Sequence, residues 1–314
     1  MTLWRRLLIV LAMAALSGPL LIGLAAASGH GHRWPDLLAQ FAAPALFAAG
    51  GLTLLLLLIR TRWSLLGAGV TGLLLAVVWP EWFPPRGAAE PGAPVIRLYS
   101  ANLWIHNTEV EQMRRSIEAA DPDIIALIEL GITPTRRLDE LLAGYPHRIP
   151  GSPIYRRSGV VREIVASRWP IRPLRPEPRG VAASGGVVRT PLGPVTVVGV
   201  HLTRPWPFEV QWEQVRHADA VAAIRAEAEG PVVIAGDFNS VSDARIGRQI
   251  KAGTDLIPAP GFPGTWPSHA PSPLAITIDQ VWRTPDLALV SRRLGEPTGS
   301  DHRPVVTEFT RARR

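Results

Sequence analysis

The sequence has no cysteine and a single lysine, and both scarcities limit what the protein can be. Without cysteine there are no disulfides, and a metal site built on thiolates is excluded. Because Lys251 is the only lysine, the net charge of +7 comes almost entirely from arginine. A basic balance favours anionic partners such as phosphates, nucleic acid or acidic lipid, although a solvated, charge-balanced face explains much of it equally well.

Charge is also scarce at the start of the chain, where three apolar runs follow one another. Residues 7–28 carry no charged side chain, and residues 37–59 carry only Gln40 as a strongly polar group. The third run, 63–83, is rich in glycine and ends in aromatic residues. Because a membrane-spanning helix needs about 20 apolar residues, we predict a transmembrane region over residues 1–83 with about three helices, one for each run.

The flanking charges indicate how such a region is oriented. The first run also fits a cleaved signal peptide, because Arg5 and Arg6 precede an apolar core. The two further runs favour helices that stay in the membrane. Arg60 and Arg62 lie between the second and third runs, and arginine-rich loops stay in the cytoplasm. We therefore expect an integral protein of the inner or plasma membrane, with a cytoplasmic N-terminus and a periplasmic or extracellular second domain.

A linker rich in proline, glycine and alanine, 84–94, leads to this second domain, 95–314. In it, β-like apolar runs alternate with segments of helical periodicity at 108–120 and 208–229. Several of the runs are apolar throughout, which is typical of sheets covered on both faces. The pattern predicts an α/β or α+β domain.

Polar groups that can do chemistry lie at the boundaries of the apolar runs: most follow the end of a run, and Asp301 and His302 come just before the last one. The residues that share this position are Asn102, Glu129, His201, Asp237, Asn239, Asp279, Asp301 and His302. A single residue of this kind is usually a turn or a helix cap. In layered sheet folds, however, strand ends at one edge line a common crevice. Carboxylates, carboxamides and imidazoles without a thiol suit a hard cation that handles phosphate.

The order of these motifs resembles the endonuclease/exonuclease/phosphatase superfamily, which has the deoxyribonuclease I-like fold. The resemblance spans residues 95–308 and lies in YSANLW, DIIALIEL, ASRWPI, VVGVHL, IAGDFNS, TIDQVW and GSDHRPV. It implies an α/β four-layer sandwich, with two β-sheets packed face to face and helices outside. The apolar runs predict about three transmembrane helices before this domain. Ile128 departs from the pattern, because many relatives have Gln before the glutamate, so one polar neighbour of the metal site is missing.

The resemblance also implies a role for each matching side chain. Glu129 is expected to be the main Mg²⁺ ligand, with Mn²⁺ as the alternative ion, and Asn102 and Asp301 are expected beside the metal. Asp237 would orient or deprotonate the attacking water. The remaining expected roles are contact with phosphate or metal by Asn239, contact with phosphate by His302 and His201, and orientation of His302 by Asp279.

Two further residues are candidates for substrate binding. Arg168, in ASRWPI, is expected to bind phosphate, and the alternative is an ordinary surface arginine. Trp266 lies in a loop expected beside the site, where it either contacts substrate or packs the loop down.

The expected function is that of a membrane-anchored, metal-dependent phosphoester hydrolase of the phosphodiesterase or nuclease kind. The substrate is a phosphoester of nucleic acid or of a phospholipid headgroup, and the fold does not choose between them. A tether close to the bilayer favours lipid, whereas the basic charge fits nucleic acid; a nuclease or general phosphodiesterase is the first expectation, and a phospholipid or sphingomyelin-type phosphodiesterase is one alternative. A catalytically silent binding protein of the same fold is another, but Glu129, Asp237 and His302 are all present. Apart from the lipid bilayer and the substrate, no obligate protein partner is inferred.

Overall fold

The computed structural model describes residues 3–151 and 161–313, and residues 1–2, 152–160 and 314 of the predicted regions lie outside them. The N-terminal part contains the helices α1 (Leu3–Ser28), α2 (Arg33–Ala39), α3 (Ala42–Leu58) and α4 (Ser64–Trp82). Among the described residues, α1 and α4 are long and apolar enough to cross a membrane, and the bent pair of α2 and α3 makes up to three candidates.

The second predicted membrane helix, residues 37–59, differs from its predicted form. Residues 37–59 do not make one continuous helix, because α2 and α3 meet at an angle of 61° across Gln40 and Phe41. The polar side chains of Asp36 and Gln40 bond to the second domain, so α2 lies against that domain instead of continuing the axis of α3. The break therefore has a tertiary cause that hydropathy does not report.

The helices α1, α3 and α4 pack on one another, and large apolar side chains cover their outer surfaces. Leu16, Leu56 and Leu74 lie in the buried core of the bundle, whereas Leu58 and Leu65 are more than two-thirds exposed. The exposed leucines are what a helix bundle in hydrocarbon presents to lipid.

The second domain has two six-stranded mixed sheets. The strands of the first sheet, from edge to edge, are β11 (Leu287–Leu294), β12 (Val305–Arg311), β1 (Ile96–Asn102), β2 (Ile124–Ile128), β4 (Glu163–Ser167) and β3 (His147–Pro150). Those of the second are β5 (Ile171–Pro173), β6 (Ala182–Thr190), β7 (Gly193–His201), β8 (Val232–Asp237), β10 (Asp279–Arg283) and β9 (Ile257–Pro258). Only β1 with β2 and β7 with β8 pair in parallel among the described strands.

The two sheets pack face to face and helices cover their outer faces. Alternate residues of the central strands point to the shared interior, where Leu98 and Ile124 meet Val197 and Ala235. The other set points outward, where α5 (Val110–Ala120) and the short α6 (Ile132–Arg136) and α7 (Leu138–Leu141) lie on the first sheet's side. The helices α8 (Gln211–Glu227) and α9 (Arg245–Gly253) cover the second sheet. The four-layer sandwich expected from the sequence is confirmed.

The segment 84–94 holds the helices close to this domain. The Arg283 guanidinium is buried and donates to the carbonyls of Pro85, at 2.6 Å, and Leu287, at 2.9 Å. The backbone N–H of Glu90 donates to the carbonyl of Arg311 at 2.9 Å. The segment thus follows the edge of the first sheet and is hydrogen-bonded along it.

Candidate active site

Strand alternation places four polar side chains on the inner faces of the sheets, where the strands end. Asn102 ends β1 in the same phase as the inward-facing Leu98, and Asp237 ends β8 in the same phase as Ala235. His201, at the end of β7, and Asp279, at the start of β10, follow the same rule. The inner faces are apolar further along each strand, so these polar groups collect at one edge of the sandwich.

Strand register then brings them together. His201 and Asp279 both stand opposite Asp237, one on each neighbouring strand. Asn102 comes from the other sheet, and its amide nitrogen donates to Asp237 Oδ2 at 2.9 Å. The two sheets are therefore joined by a buried polar contact at this edge.

Glu129 enters the same cluster from the turn after β2. Its backbone is in the left-handed region, with φ of 55°, which turns the chain sharply at the strand end. Its carboxylate accepts from Asn102 Nδ2 at 3.1 Å and from the Ile105 N–H at 3.3 Å. His201 Nε2 lies 3.3 Å from Glu129 Oε1 and 3.9 Å from Asp237 Oδ2.

Asp237 and Asn239 are held together by the turn that they form. The N–H of Asn239 donates to Asp237 Oδ1 at 2.8 Å, and the Asn239 side chain donates to the Leu202 carbonyl at 2.8 Å. Phe238, between them, is fully buried in the outer apolar layer of the second sheet. The turn therefore fixes the carboxylate of Asp237 with its Oδ2 directed into the cluster.

His302 is braced by Asp279 on the other side of Asp237. Its Nδ1 lies 2.9 Å from Asp279 Oδ2, and its Nε2 lies 4.0 Å from Asp237 Oδ2. The N–H of Asp279 donates to Thr265 Oγ1 at 3.2 Å, whereas its own Oδ1 is buried and without a hydrogen-bond partner among the described residues. With Nδ1 occupied, Nε2 is the imidazole nitrogen that remains for a substrate.

Burial and neighbouring charges shift the pKa values of Asp237 and His302. Burial raises the pKa of Asp237 to about 6; His302 and His201 oppose this rise, and Asp279 adds to it. Burial by itself would lower the pKa of His302, but Asp279, Asp237 and Asp301 raise it to about 10. The imidazole is consequently positively charged at neutral pH and suited to contact an anionic oxygen.

Two overlapping groups of side chains have ligand atoms close enough to hold one metal ion. Glu129, His201 and Asp237 form the first, and Asp237, Asp279 and His302 form the second, with all ligand atoms of a group within 4.8 Å of one another. The first group includes two carboxylates, which are the oxygen donors that hard divalent cations prefer. The donor set around Glu129 therefore fits such a cation.

Comparison with known protein families identifies a match that includes the residues of this cluster. The model of the endonuclease/exonuclease/phosphatase family matches residues 99–302, which contain the whole cluster. The chain belongs to this family. Its members are generally hydrolases that act on phosphoesters. Comparison with curated proteins finds no match.

Solved structures with the family fold are similar over the second domain. An endonuclease/exonuclease/phosphatase from Beutenbergia cavernae is 22% identical, covers 69% of this chain and 72% of its own, and has a TM-score of 0.51. One from Bacteroides vulgatus is 16% identical, with coverage of 69% and 99% and a TM-score of 0.58. The endonuclease domain of TRAS1, a telomere-specific non-LTR retrotransposon, is 16% identical, with coverage of 70% and 100% and a TM-score of 0.54. These similarities establish the fold.

Not every residue predicted from the family motifs reaches the cluster. Asp301 and Trp266 lie at its rim, where Trp266 Nε1 donates to Asp301 Oδ2 at 3.2 Å.

Arg168 does not belong to the site. It follows β4, which runs antiparallel to β2, so Arg168 lies at the opposite edge of the sheet from Glu129. There it pairs with Asp121 and Asp123 and stacks over Tyr145.

Asn102 reaches the cluster in an orientation that differs from the expected one. Its carboxamide oxygen accepts the N–H of Trp104 at 2.9 Å, so its nitrogen faces the carboxylates. A metal ligand would have to present the oxygen. In the described structure Asn102 is therefore a hydrogen-bond donor that orients Glu129 and Asp237.

The cluster opens into a cavity of about 660 Å³ whose far wall was not anticipated. Asp237 and His302 line it together with Leu37 from α2 and with Gln40 and Phe41 from the break between α2 and α3. Sequence reasoning about the family missed these residues because they lie outside the matched segment. One signal was available, since Gln40 is a lone polar group in an apolar run.

Proposed function

We propose that the protein is a membrane-anchored, metal-dependent phosphoester hydrolase in which Asp237 and His302, whose side chains lie 4.0 Å apart, act on the same reacting phosphoester. One observation supports this most: chemistry-bearing side chains from both sheets, far apart in the chain, converge in one cluster that lines a single cavity. Hydrolysis of a phosphoester needs a positioned water, charge neutralisation at the non-bridging oxygens and help for the leaving oxygen, and each has a candidate group here.

Asp237 has the position of the group that orients and deprotonates water. Its Oδ1 accepts the N–H of Asn239, its Oδ2 accepts the Asn102 amide at 2.9 Å, and the residue lines the cavity. His302 presents Nε2 to the same space while Asp279 holds its Nδ1. A phosphoryl oxygen between these groups would accept a hydrogen bond from His302, and His201 would provide a second contact.

Mg²⁺, or Mn²⁺ as the alternative, suits the donor set around Glu129. Glu129 and Asp237 would hold the ion, with His201 next to them, and Asp301 lies at the rim of the same cavity. When bound, the ion supplies positive charge that neutralises the non-bridging oxygens. Asn102 contributes by fixing both carboxylates.

Anchoring in a membrane is supported by the two ends of the helix bundle. Arg5 donates to the carbonyls of Ile59 and Arg60, both at 3.0 Å, so the arginine-rich start of α1 lies beside the loop after α3. The opposite end contacts the second domain, where the Glu81 carbonyl accepts the N–H of Gly261 at 2.8 Å. With arginines on the cytoplasmic side, the second domain would be periplasmic or extracellular.

The proposal is tested with the full chain in detergent and bis-p-nitrophenyl phosphate as substrate. Turnover should require Mg²⁺ or Mn²⁺ and stop in EDTA. Asp237→Asn and His302→Ala should each lower kcat by about 100-fold or more, because each removes a group that acts on the reacting atoms. Asp286→Asn, an exposed aspartate away from the cavity, is the matched control. Full activity in either site variant would contradict the assigned roles.

A further inference from the structure

The cavity has two chemically different walls, and the second belongs to the membrane region. The catalytic cluster forms one wall, and Leu37 and Phe41 form part of the other. Phe41 lies at the helix break, is 39% exposed and presents an aromatic surface to the cavity. A substrate without an apolar part would make no apolar contact with this surface.

Polar contacts hold this apolar wall in place. Gln40 accepts the N–H of Val241 at 2.8 Å and donates to Ser240 Oγ at 3.3 Å. Asp36 Oδ1 accepts the N–H of Arg245 at 3.1 Å. Because these bonds fix one face of α2 to the domain, its apolar face is held towards the cavity as part of the site.

Exposed aromatic side chains continue the apolar surface around the mouth of the cavity. Trp104 and Phe208 line the cavity and are 43% and 66% exposed. The loop that carries Phe208 also packs on α2, since the rings of Trp206 and Trp34 are 4.4 Å apart. Exposed aromatic rings beside membrane-spanning helices are typical of a surface that enters the lipid headgroup layer.

The charges of the cavity do not match a nucleic acid. Among the described residues that line it, Arg204 is the only arginine, and it lies 3.8 Å from Glu209. Nucleic-acid sites follow the phosphate backbone with several lysines or arginines. One phosphate at the catalytic cluster, flanked by a long apolar surface, requires far fewer.

We propose that the substrate is a phosphodiester of a membrane lipid, whose phosphate lies at Asp237 and His302 while its hydrocarbon part lies along Leu37 and Phe41. This inference rests on the proposed function. In the reaction, the water oxygen forms a new bond to phosphorus and the bond from phosphorus to one ester oxygen breaks. The proton removed from water is balanced by one delivered to the leaving alkoxide, so the products are a phosphomonoester and an alcohol. The apolar wall is a specificity device that the transmembrane region adds to the family's catalytic domain.

The test is competition against bis-p-nitrophenyl phosphate turnover by the full chain in detergent micelles. The three competitors are dioleoylphosphatidylglycerol, its water-soluble headgroup glycerophosphoglycerol, and a short oligodeoxythymidylate. The diacyl lipid should inhibit at a concentration at least about tenfold lower than the headgroup, because burial of its chains adds apolar binding energy. Equal potency of lipid and headgroup, or stronger inhibition by the oligonucleotide, would overturn the inference. Absence of bis-p-nitrophenyl phosphate turnover would instead refute the proposed function.

Variants of the wall separate a site from general partition into the micelle. Leu37→Ala combined with Phe41→Ala should reduce the advantage of the lipid over the headgroup by about tenfold. The matched control, Leu57→Ala with Leu58→Ala, removes exposed apolar side chains from α3 far from the cavity and should keep that advantage. An equal loss in both double variants would show that lipid acts through the micelle alone and would overturn the inference.

Discussion

At the scale of single residues, Asp279 shows how a buried carboxylate can be retained for what it does to a neighbour. It is 2% exposed, and one of its oxygens has no hydrogen-bond partner among the described residues. Such a group costs stability unless its charge is compensated. The compensation comes from His302, whose Nδ1 lies 2.9 Å away. Asp279 thus fixes the ring and keeps it protonated.

Asp279→Asn should therefore impair the reaction without unfolding the domain. The asparagine keeps the size of the side chain but removes the negative charge that holds His302 as an imidazolium. We expect kcat for bis-p-nitrophenyl phosphate to fall by about 100-fold. The variant should remain folded, but its melting temperature should lie about a few degrees below that of Asp286→Asn at neutral pH, because the buried His302 loses its charged partner. Unchanged kcat would mean that His302 works without this partner.

Glu163 is a second buried carboxylate, but its environment predicts a stability effect. It starts β4, is 2% exposed, and its Oε2 has no partner among the described residues. Burial raises its pKa from the ordinary 4.5 to about 7; Arg162 opposes the rise and Glu129 adds to it. The Glu163 carboxyl group therefore binds its proton more tightly in the folded state than in the unfolded state. The contribution of Glu163 to stability consequently falls as the pH rises from about 4.5 through 7.

Glu163→Gln should accordingly stabilise the protein at alkaline pH. The neutral amide avoids the cost of burying a charge, which the wild type bears fully at pH values above 7. We expect the melting temperature of the variant to exceed that of the wild type by a few degrees at high pH, with the difference shrinking below the folded pKa. Glu229→Gln, at an exposed position, is the control. A difference independent of pH would contradict this account.

At the scale of elements, β8 depends on a glycine next to Asp237, the residue with which the strand ends. Gly236 has a φ of 146°, and a Cβ on it would lie 2.0 Å from the carbonyl oxygen of Val200. That oxygen belongs to β7, directly beside the strand end that carries Asp237. The glycine lets the two strands approach while Asp237 and His201 stay in register.

Gly236→Ala should therefore destabilise the domain and lower its activity. The new methyl group must push β7 and β8 apart, and alanine disfavours this φ, at a combined cost of about 1–3 kcal/mol or more. Chemical denaturation and kcat measure the two effects. Gly199→Ala is a matched control on β7, because its Cβ would meet Ala126 at an ordinary 3.5 Å. Similar behaviour of the two variants would refute the steric explanation.

The helix α2 is the element that connects the N-terminal helices to the edge of the sandwich that carries the candidate site. Gln40 bonds to Ser240 and Val241, which follow the turn containing Asp237 and Asn239. A buried N–H that loses its acceptor costs about 1–3 kcal/mol. The position of the turn is therefore linked to the docking of α2.

Gln40→Met should loosen that docking while preserving the volume of the side chain. We expect a loss of about 1–3 kcal/mol in the free energy of unfolding, since the Val241 N–H is left unpaired. Turnover should fall with it. Leu57→Met, on the exposed surface of α3, is the control for a methionine in the helical region. A variant as stable and active as the control would show that α2 docks through apolar contacts alone.

At the scale of the whole molecule, the helices and the catalytic domain form one connected structure. The Arg248 side chain reaches the Ala26 carbonyl at 3.4 Å, and the rings of Trp82 and Phe262 lie 5.0 Å apart. The cavity consequently lies beside the domain-facing end of the bundle. If the bundle crosses a bilayer, the site is at its surface.

The orientation of the bundle can be tested with fusions. Alkaline phosphatase fused to the C-terminus of the full chain should be active, because the domain is expected outside the cytoplasm. The same enzyme fused directly after Arg62 should be inactive, since this arginine-rich loop is expected inside. Fusions of green fluorescent protein, used as the cytoplasmic reporter, should give the opposite pattern, with fluorescence after Arg62 and none at the C-terminus. Activity of the loop fusion together with silence of the C-terminal fusion would reverse the topology.

Much of the catalytic edge could be predicted because its residues lie in local motifs. Glu129 and Asp237 stand at strand ends and His302 precedes β12, each within a family pattern, and strand ends meet at an edge in layered folds. The position of Arg168 could not be inferred in the same way. Its strand runs antiparallel to its neighbour, and pairing direction is not encoded in the motif itself.

The sequence by itself determined the apolar helices, the alternating strands and the set of chemistry-bearing side chains, because hydropathy, periodicity and motif order are properties of neighbouring residues. Only the tertiary structure decided which atom each side chain presents, as with the amide nitrogen of Asn102. It also decided that α2 bends away from α3 to complete the cavity. These outcomes depend on contacts between residues some 200 positions apart, such as Gln40 with Val241, and no local pattern records them.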